Sequence, residues 1–115
     1  MPQPAIHLCI VQPAGDVSPL GFLDQARFFR YQFRRLGAQV SIGKNRLRHD
    51  AVNYIFGAHL GFDAPLRERH SCVFVNLEQL GEGGKPVAAW YLELLASSAV
   101  VDYEASNVAD RKSVV

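Results

Sequence analysis

At 115 residues and 12.8 kDa the chain has room for one domain, large enough to bury roughly two thirds of its unfolded surface. Apolar residues are 49% and charged residues 20%, which excludes a disordered chain, and a net charge of +1 exerts no global pull toward nucleic acid or anionic membrane. No apolar run approaches the roughly 20 residues of a spanning helix, and Met1-Pro2-Gln3-Pro4 lacks the basic start and long apolar stretch of a signal peptide.

Ala5 to Val11 is a short, nearly continuous apolar run whose Ile and Val content predicts a strand buried on both faces. Pro13-Ala14-Gly15-Asp16 closes it. Ser18 then offers a cap and Pro19 the favoured first helical position, predicting a helix from Ser18 to Leu36 ended by Gly37. Within it Phe22, Ala26, Phe29, Phe33 and Leu36 recur at helical spacing and form the expected core face, with Phe29 and Phe33 buried. Arg27, Arg30 and Arg34 make a second stripe, read as a solvated face. Val40 to Gly43 reads as a short second strand, Lys44-Asn45-Arg46 as a turn, and Val52 to Phe56 as a third strand ended by Gly57. Gly61 to His70 carries Pro65 and mixed charges and reads as a loop. Ser71 to Leu77 is a strong fourth strand, and Gly81-Glu82-Gly83-Gly84 breaks the chain. A second helix spans Pro86 to Ser97, with Val87, Tyr91, Leu94 and Leu95 inward. Val100 to Tyr103 is a fifth strand, and Ser106 can cap a last helical turn.

The order β-α-β-β-β-α-β requires crossover connections, hence an α/β domain with a mostly parallel sheet of about five strands flanked by helices. Cys9 and Cys72 both lie in strands that can be neighbours. Without a framework of closely spaced cysteines they read as two reduced core thiols of a cytosolic protein.

In an open parallel sheet, ligands sit outside the carboxyl ends of the strands. That rule selects Gln12 to Ser18 after the first strand and Gly57, Ala58 and His59 after the third. It adds Asn76, Glu78 and Gln79 after the fourth, and Asp102, Tyr103 and Asn107 after the fifth. The bland alternative is that these groups cap helices and close turns. No dinucleotide motif is present: the first strand-to-helix turn has one glycine, and backbone approach to a pyrophosphate needs several. Gly81-Glu82-Gly83-Gly84-Lys85-Pro86 evokes a phosphate loop but has the wrong spacing, and Pro86 stands where a hydroxyl is needed. The four histidines, His7, His49, His59 and His70, show no metal-ligand spacing, and no cofactor is implied. His7, inside a strand, reads as a satisfied structural residue. His59 is the histidine expected at the carboxyl edge, with an unperturbed pKa of about 6.5 suited to a general base.

Phe56-Gly57-Ala58-His59-Leu60, Val75-Asn76-Leu77-Glu78-Gln79-Leu80, Tyr91-Leu92-Glu93-Leu94-Leu95 and Val101-Asp102-Tyr103 with Ser106-Asn107 follow one another in order. Together they resemble the N-terminal Rossmann-like half-domain of bacterial GT-B glycosyltransferase-like proteins, over roughly residues 50 to 107. Glu104-Ala105 departs from the serine expected after the Asp-Tyr pair. The resemblance implies one Rossmann-like domain over residues 1–115 that shapes the acceptor side of a cleft. Asn76, Glu78, Gln79, Tyr103 and Asn107 would bind sugar hydroxyls, and His59 or Asp102 would be the base. A base is needed because a hydroxyl is a poor nucleophile until its proton is taken. The sequence stops at Val115, short of a second half, so the expectation is a chain inactive alone in sugar transfer and completed by a second domain or partner chain.

The competing expectation is a non-catalytic interaction module with the same core that forms homo-oligomers, since exposed apolar surface finds partners. Nucleic acid and membrane are not among the expected partners.

Overall fold

The computed structural model describes residues 5–12, 22–76 and 88–102. Five strands, β1 (Ala5–Ile10), β2 (Gln39–Lys44), β3 (Val52–Phe56), β4 (Ser71–Asn76) and β5 (Ala99–Asp102), form one sheet in the order β2-β1-β3-β4-β5. Every pair is parallel. Two α-helices, α1 (Phe22–Arg35) and α2 (Ala89–Ala96), accompany it, giving the expected Rossmann-like α/β arrangement. No described helix is long and apolar enough to cross a membrane.

Period-two alternation divides the strands between two cores. Ile6, Leu8, Ile10, Phe56 and Val75 face α1, where Ala26 is the one fully enclosed helix residue among those described. Phe29, Phe33, Tyr54 and Phe56 form an aromatic cluster there: Phe29 meets Phe56 edge-on at 5.2 Å, and Phe33 lies 4.9 Å from Tyr54. Cys9, Val11, Ile55 and Phe74 face the other way and pack with Tyr91, Leu94 and Leu95 of α2.

Among the described residues, the two sides are covered unequally. On the second side, α2 covers only part of the sheet. The link 45–51, seven residues from β2 to β3, must pass across β1. The two strand ends are about 16 Å apart by strand spacing and rise. A seven-residue helix would span only about 10 Å, so the link stays extended. It drops Leu47 onto the core. An extended link over a sheet leaves backbone polar groups in need of partners, and two inward polar side chains supply them. His7 lies 2.9 Å from the Arg46 carbonyl through Nε2 and 2.7 Å from Ser41 Oγ through Nδ1. Asn53, fully buried, accepts from the Arg48 N–H at 2.8 Å and donates to the Arg48 and Ser71 carbonyls at 2.9 and 3.0 Å.

Several boundaries differ from the sequence reading. The helix α1 is described from Phe22; the Ser18 cap and Pro19 lie outside the described residues, as do Val87, the glycine-rich break and the Ser106 turn. Gly37 does end the helix, with φ 90°. Phe29 and Phe33 are half-buried rather than buried, and Leu36 is 80% exposed. The expected loop 61–70 contains a 3-10 helix, Ala64–Glu68, started by Pro65. Cys9 and Cys72 are free, as expected, but their strands are not neighbours: β3 lies between β1 and β4. Two ladder spacings of about 4.8 Å each exceed disulfide reach.

Candidate functional site

The strand order reverses direction between β1 and β3, and their carboxyl ends open the crevice where such sheets take ligands. Gly57 follows β3 with φ 84°, a left-handed turn that glycine makes without strain. The chain then enters a 3-10 turn, Ala58–Leu60, which carries His59. A side chain at residue 57 would come within 3.0 Å of the Phe22 ring and 3.3 Å of the Val11 carbonyl. Gly57 therefore lets the first turn of α1 close directly over the end of β3. The His59 ring is half-buried between Phe22, at 5.9 Å, and Tyr91, at 5.8 Å, edge-on to both.

Tyr91 connects His59 to the ends of β4 and β5. Its hydroxyl donates to Asn76 Oδ1 at 2.8 Å, and Asn76 Nδ2 donates to Asp102 Oδ1 at 2.9 Å. Asn76 and Asp102 are partners in the β4–β5 register. The direction of this chain is fixed by chemistry. The carboxylate can only accept, so the amide nitrogen faces it and the amide oxygen receives the Tyr91 proton. Tyr91 and Asn76 are buried, where an oriented polar pair resists displacement. They hold the Asp102 carboxylate in place at the edge.

Of the residues singled out in sequence, His59, Asn76 and Asp102 thus stand on one side of the sheet at its carboxyl end. Asn76 is fully enclosed and acts through Asp102. Glu78, Gln79, Tyr103 and Asn107 lie outside the described residues. Gln12 is engaged locally: its N–H donates to Asn45 Oδ1 and its carbonyl accepts from Asn45 Nδ2, both at 2.8 Å. Sequence reasoning assigned Tyr91 to packing alone. The signal it missed was a phenol hydroxyl on an otherwise apolar helix face, which needs a partner once buried. Among the described residues, no group of three or more His, Cys, Asp and Glu is placed to hold a metal ion.

A second feature of this side is a groove between α2 and the segment 62–68. Trp90, Glu93, Leu94 and Ser97 project from α2 as one stripe and face Phe62, Ala64 and Arg67 across a cavity of about 420 Å³. A neighbouring cavity of about 330 Å³ shares Arg67 and Ser97 and is completed by Glu68, Cys72, Ser98 and Ala99.

No protein-family model, curated protein or solved structure matches the chain.

Proposed function

We propose that this chain is an acceptor-side Rossmann-like domain, related to the half-domains of GT-B glycosyltransferases. In this reading it binds a hydroxyl-bearing sugar at the carboxyl edge and requires a second domain or partner chain for transfer. The observation that carries the reading is the fixed Tyr91–Asn76–Asp102 chain beside the His59 ring. A carboxylate held by a buried amide suits a sugar hydroxyl, which it can accept from. An imidazole nearby suits the removal of that hydroxyl's proton as the oxygen attacks. In this reading Asp102 and His59 touch substrate, and Asn76 and Tyr91 are positioning residues. Among the described residues, the ends of β3, β4 and β5 bring no Lys or Arg to this edge, so a departing diphosphate would draw its stabilising charge from elsewhere.

The test is twofold. Nucleotide release from a panel of nucleotide sugars and acceptors should stay at background for the isolated chain. Saturation-transfer NMR should detect weak binding of acceptor sugars, reduced at least about tenfold in Asp102→Asn, a loss of about 1.4 kcal/mol. Robust turnover that disappears in His59→Ala would replace this reading with a self-sufficient enzyme.

A second reading, an interaction module, is favoured by one flank of α1. Phe28 is 59% exposed and Leu36 80%, beside a largely apolar depression of about 180 Å³ shared with Phe29, Gln32 and Phe33. Absence of any sugar binding, together with a concentration-dependent dimer in light scattering, would select it.

A further inference from the structure

We infer that the groove along α2 is a separate binding site for a neutral sugar, stacked on Trp90 and hydrogen-bonded by Arg67, Glu93 and Ser97. This site is distinct from the carboxyl-edge residues and does not depend on the reading given for them.

Three observations converge. The first is the wall. Trp90 is 41% exposed, with Phe62 and Leu94 in the same cavity. An indole face carries partial negative charge and receives the weakly positive C–H bonds on the flat side of a pyranose.

The second is the held cation. Arg67 Nε donates to the Ala64 carbonyl at 3.2 Å, and Nη1 donates to Ser97 Oγ and Ser98 Oγ at 2.8 and 2.9 Å. The guanidinium is fixed at the junction of the two cavities, and its Nη2 has no partner among the described residues. A donor already immobilised loses little entropy when it binds a ligand oxygen.

The third is the charge balance. One cavity sets Arg67 with Glu93, the other sets it with Glu68, and neither carboxylate ion-pairs with it. The two chambers share the single Arg67 cation between two carboxylates, so together they carry a formal charge of −1 and offer both strong donors and strong acceptors. The carbonyl end of α2, at Ser97, adds partial negative charge. An anionic ligand is therefore disfavoured, and a neutral polyol, which both donates and accepts, fits. From Trp90 to Ser97 the stripe runs about 10 Å along the helix axis, room for two sugar rings.

Trp90 is the sole tryptophan of the chain, so intrinsic fluorescence reads this site directly. The probes are maltose, cellobiose and diacetylchitobiose, with sorbitol as an acyclic control and p-nitrophenyl phosphate as an anionic one. At least one disaccharide should give a saturable fluorescence change with a midpoint in the millimolar range, and sorbitol and the phosphate should give none at equal concentration. Glu93→Gln, an exposed change, should weaken the midpoint about tenfold, and Arg67→Lys, which keeps the charge but loses the fork, should do likewise. In the Asp102→Asn background, which removes binding at the carboxyl edge, saturation-transfer NMR should show the remaining disaccharide binding lost on adding Trp90→Ala and retained on adding Trp90→Phe. His59→Ala and Asp102→Asn, which alter the carboxyl edge, should leave the fluorescence midpoint unchanged. The inference is overturned if no disaccharide produces a saturable change. It is equally overturned if p-nitrophenyl phosphate binds tighter than every sugar, if folded Glu93→Gln binds as the wild type does and folded Trp90→Ala leaves binding in the Asp102→Asn background unchanged, or if the edge variants abolish the signal.

Discussion

His7 shows how one side chain can be fixed by the direction of its hydrogen bonds. The Arg46 carbonyl can only accept, so Nε2 carries the proton and Nδ1 accepts from the Ser41 hydroxyl. Ser41 Oγ in turn accepts from Arg48 Nη1 at 2.9 Å. A second proton on the ring would reverse the Ser41 bond and set a cation beside Arg48. Burial is the main reason the His7 pKa lies below its ordinary value, with Arg48 adding to the depression against the raising influence of the Arg46 carbonyl and Asp50. The sign for stability follows. Below about pH 6.5 the unfolded chain takes up a proton at His7 and the folded chain does not. Stability is therefore complete above that pH, falls as pH drops through the window beneath it, and levels off at the lowered folded value. Urea titrations at pH 7.5 and 5.5 should show this loss. In His7→Gln, whose amide can still donate to the Arg46 carbonyl, the difference between the two pH values should shrink. An unchanged difference would assign the loss to another group.

His7 was legible in the sequence as a satisfied strand histidine, but its partners were not, because the segment that supplies them has no periodicity. Asn53 was overlooked altogether. The run Val52-Asn53-Tyr54-Ile55-Phe56 looks like a strand with one outward polar residue, yet Asn53 points inward to bond the link and the start of β4. The available signal was its parity with Ile55, which places it on a core-facing side.

At the scale of elements, strands were read best. Their β-branched runs are short and bounded by turn residues, and all five appear within a residue or two of their expected limits. The helix α1 was read correctly in period but not in depth. Phe29 and Phe33 are only half enclosed, and Leu36, just past the end of α1, is 80% exposed. Truncation should follow that gradient. Phe29→Ala and Phe33→Ala should each cost about 2–3 kcal/mol, below the 3–5 of a fully buried phenylalanine. Leu36→Ala should change stability by less than about 0.5 kcal/mol. Chemical denaturation with a constant slope would check the series. Equal losses at all three positions would mean that the end of α1 is covered in solution. The 3-10 helix Ala64–Glu68 was missed because mixed charges and Pro65 hide so short a turn. The Arg67 position in the groove went unnoticed with it.

For the whole molecule, the two thiols report how the layers enclose the sheet. Burial raises the Cys9 thiol to about 11 and raises Cys72 as well, while Arg67 pulls Cys72 the other way. Cys9 is buried on the face of β1 covered by Leu47 of the link and by Phe62 and Leu66, whereas Cys72 is half-buried and lines the smaller groove cavity. Labelling with a small thiol reagent should show one moderately fast and one very slow site, with Cys72→Ala removing the faster. Intact mass should be unchanged by a reductant. Two equally fast sites would mean that the link and the 61–68 segment do not seal β1.

The unequal covering of the sheet also makes the molecule dynamically lopsided. On the α1 side one continuous helix must move as a unit, so opening it exposes the whole aromatic cluster at once. On the α2 side the cover given by the described residues is a patchwork of an extended link, two short 3-10 pieces and an eight-residue helix. Each piece can lift at a fraction of the global cost. Amide protons there should exchange through local openings, while those of β1 and β3, inside the sheet, should wait for global unfolding. The face that can breathe is the one that carries both His59 and the Trp90 groove, so occupancy of either site would be felt first as a slowing of local motion.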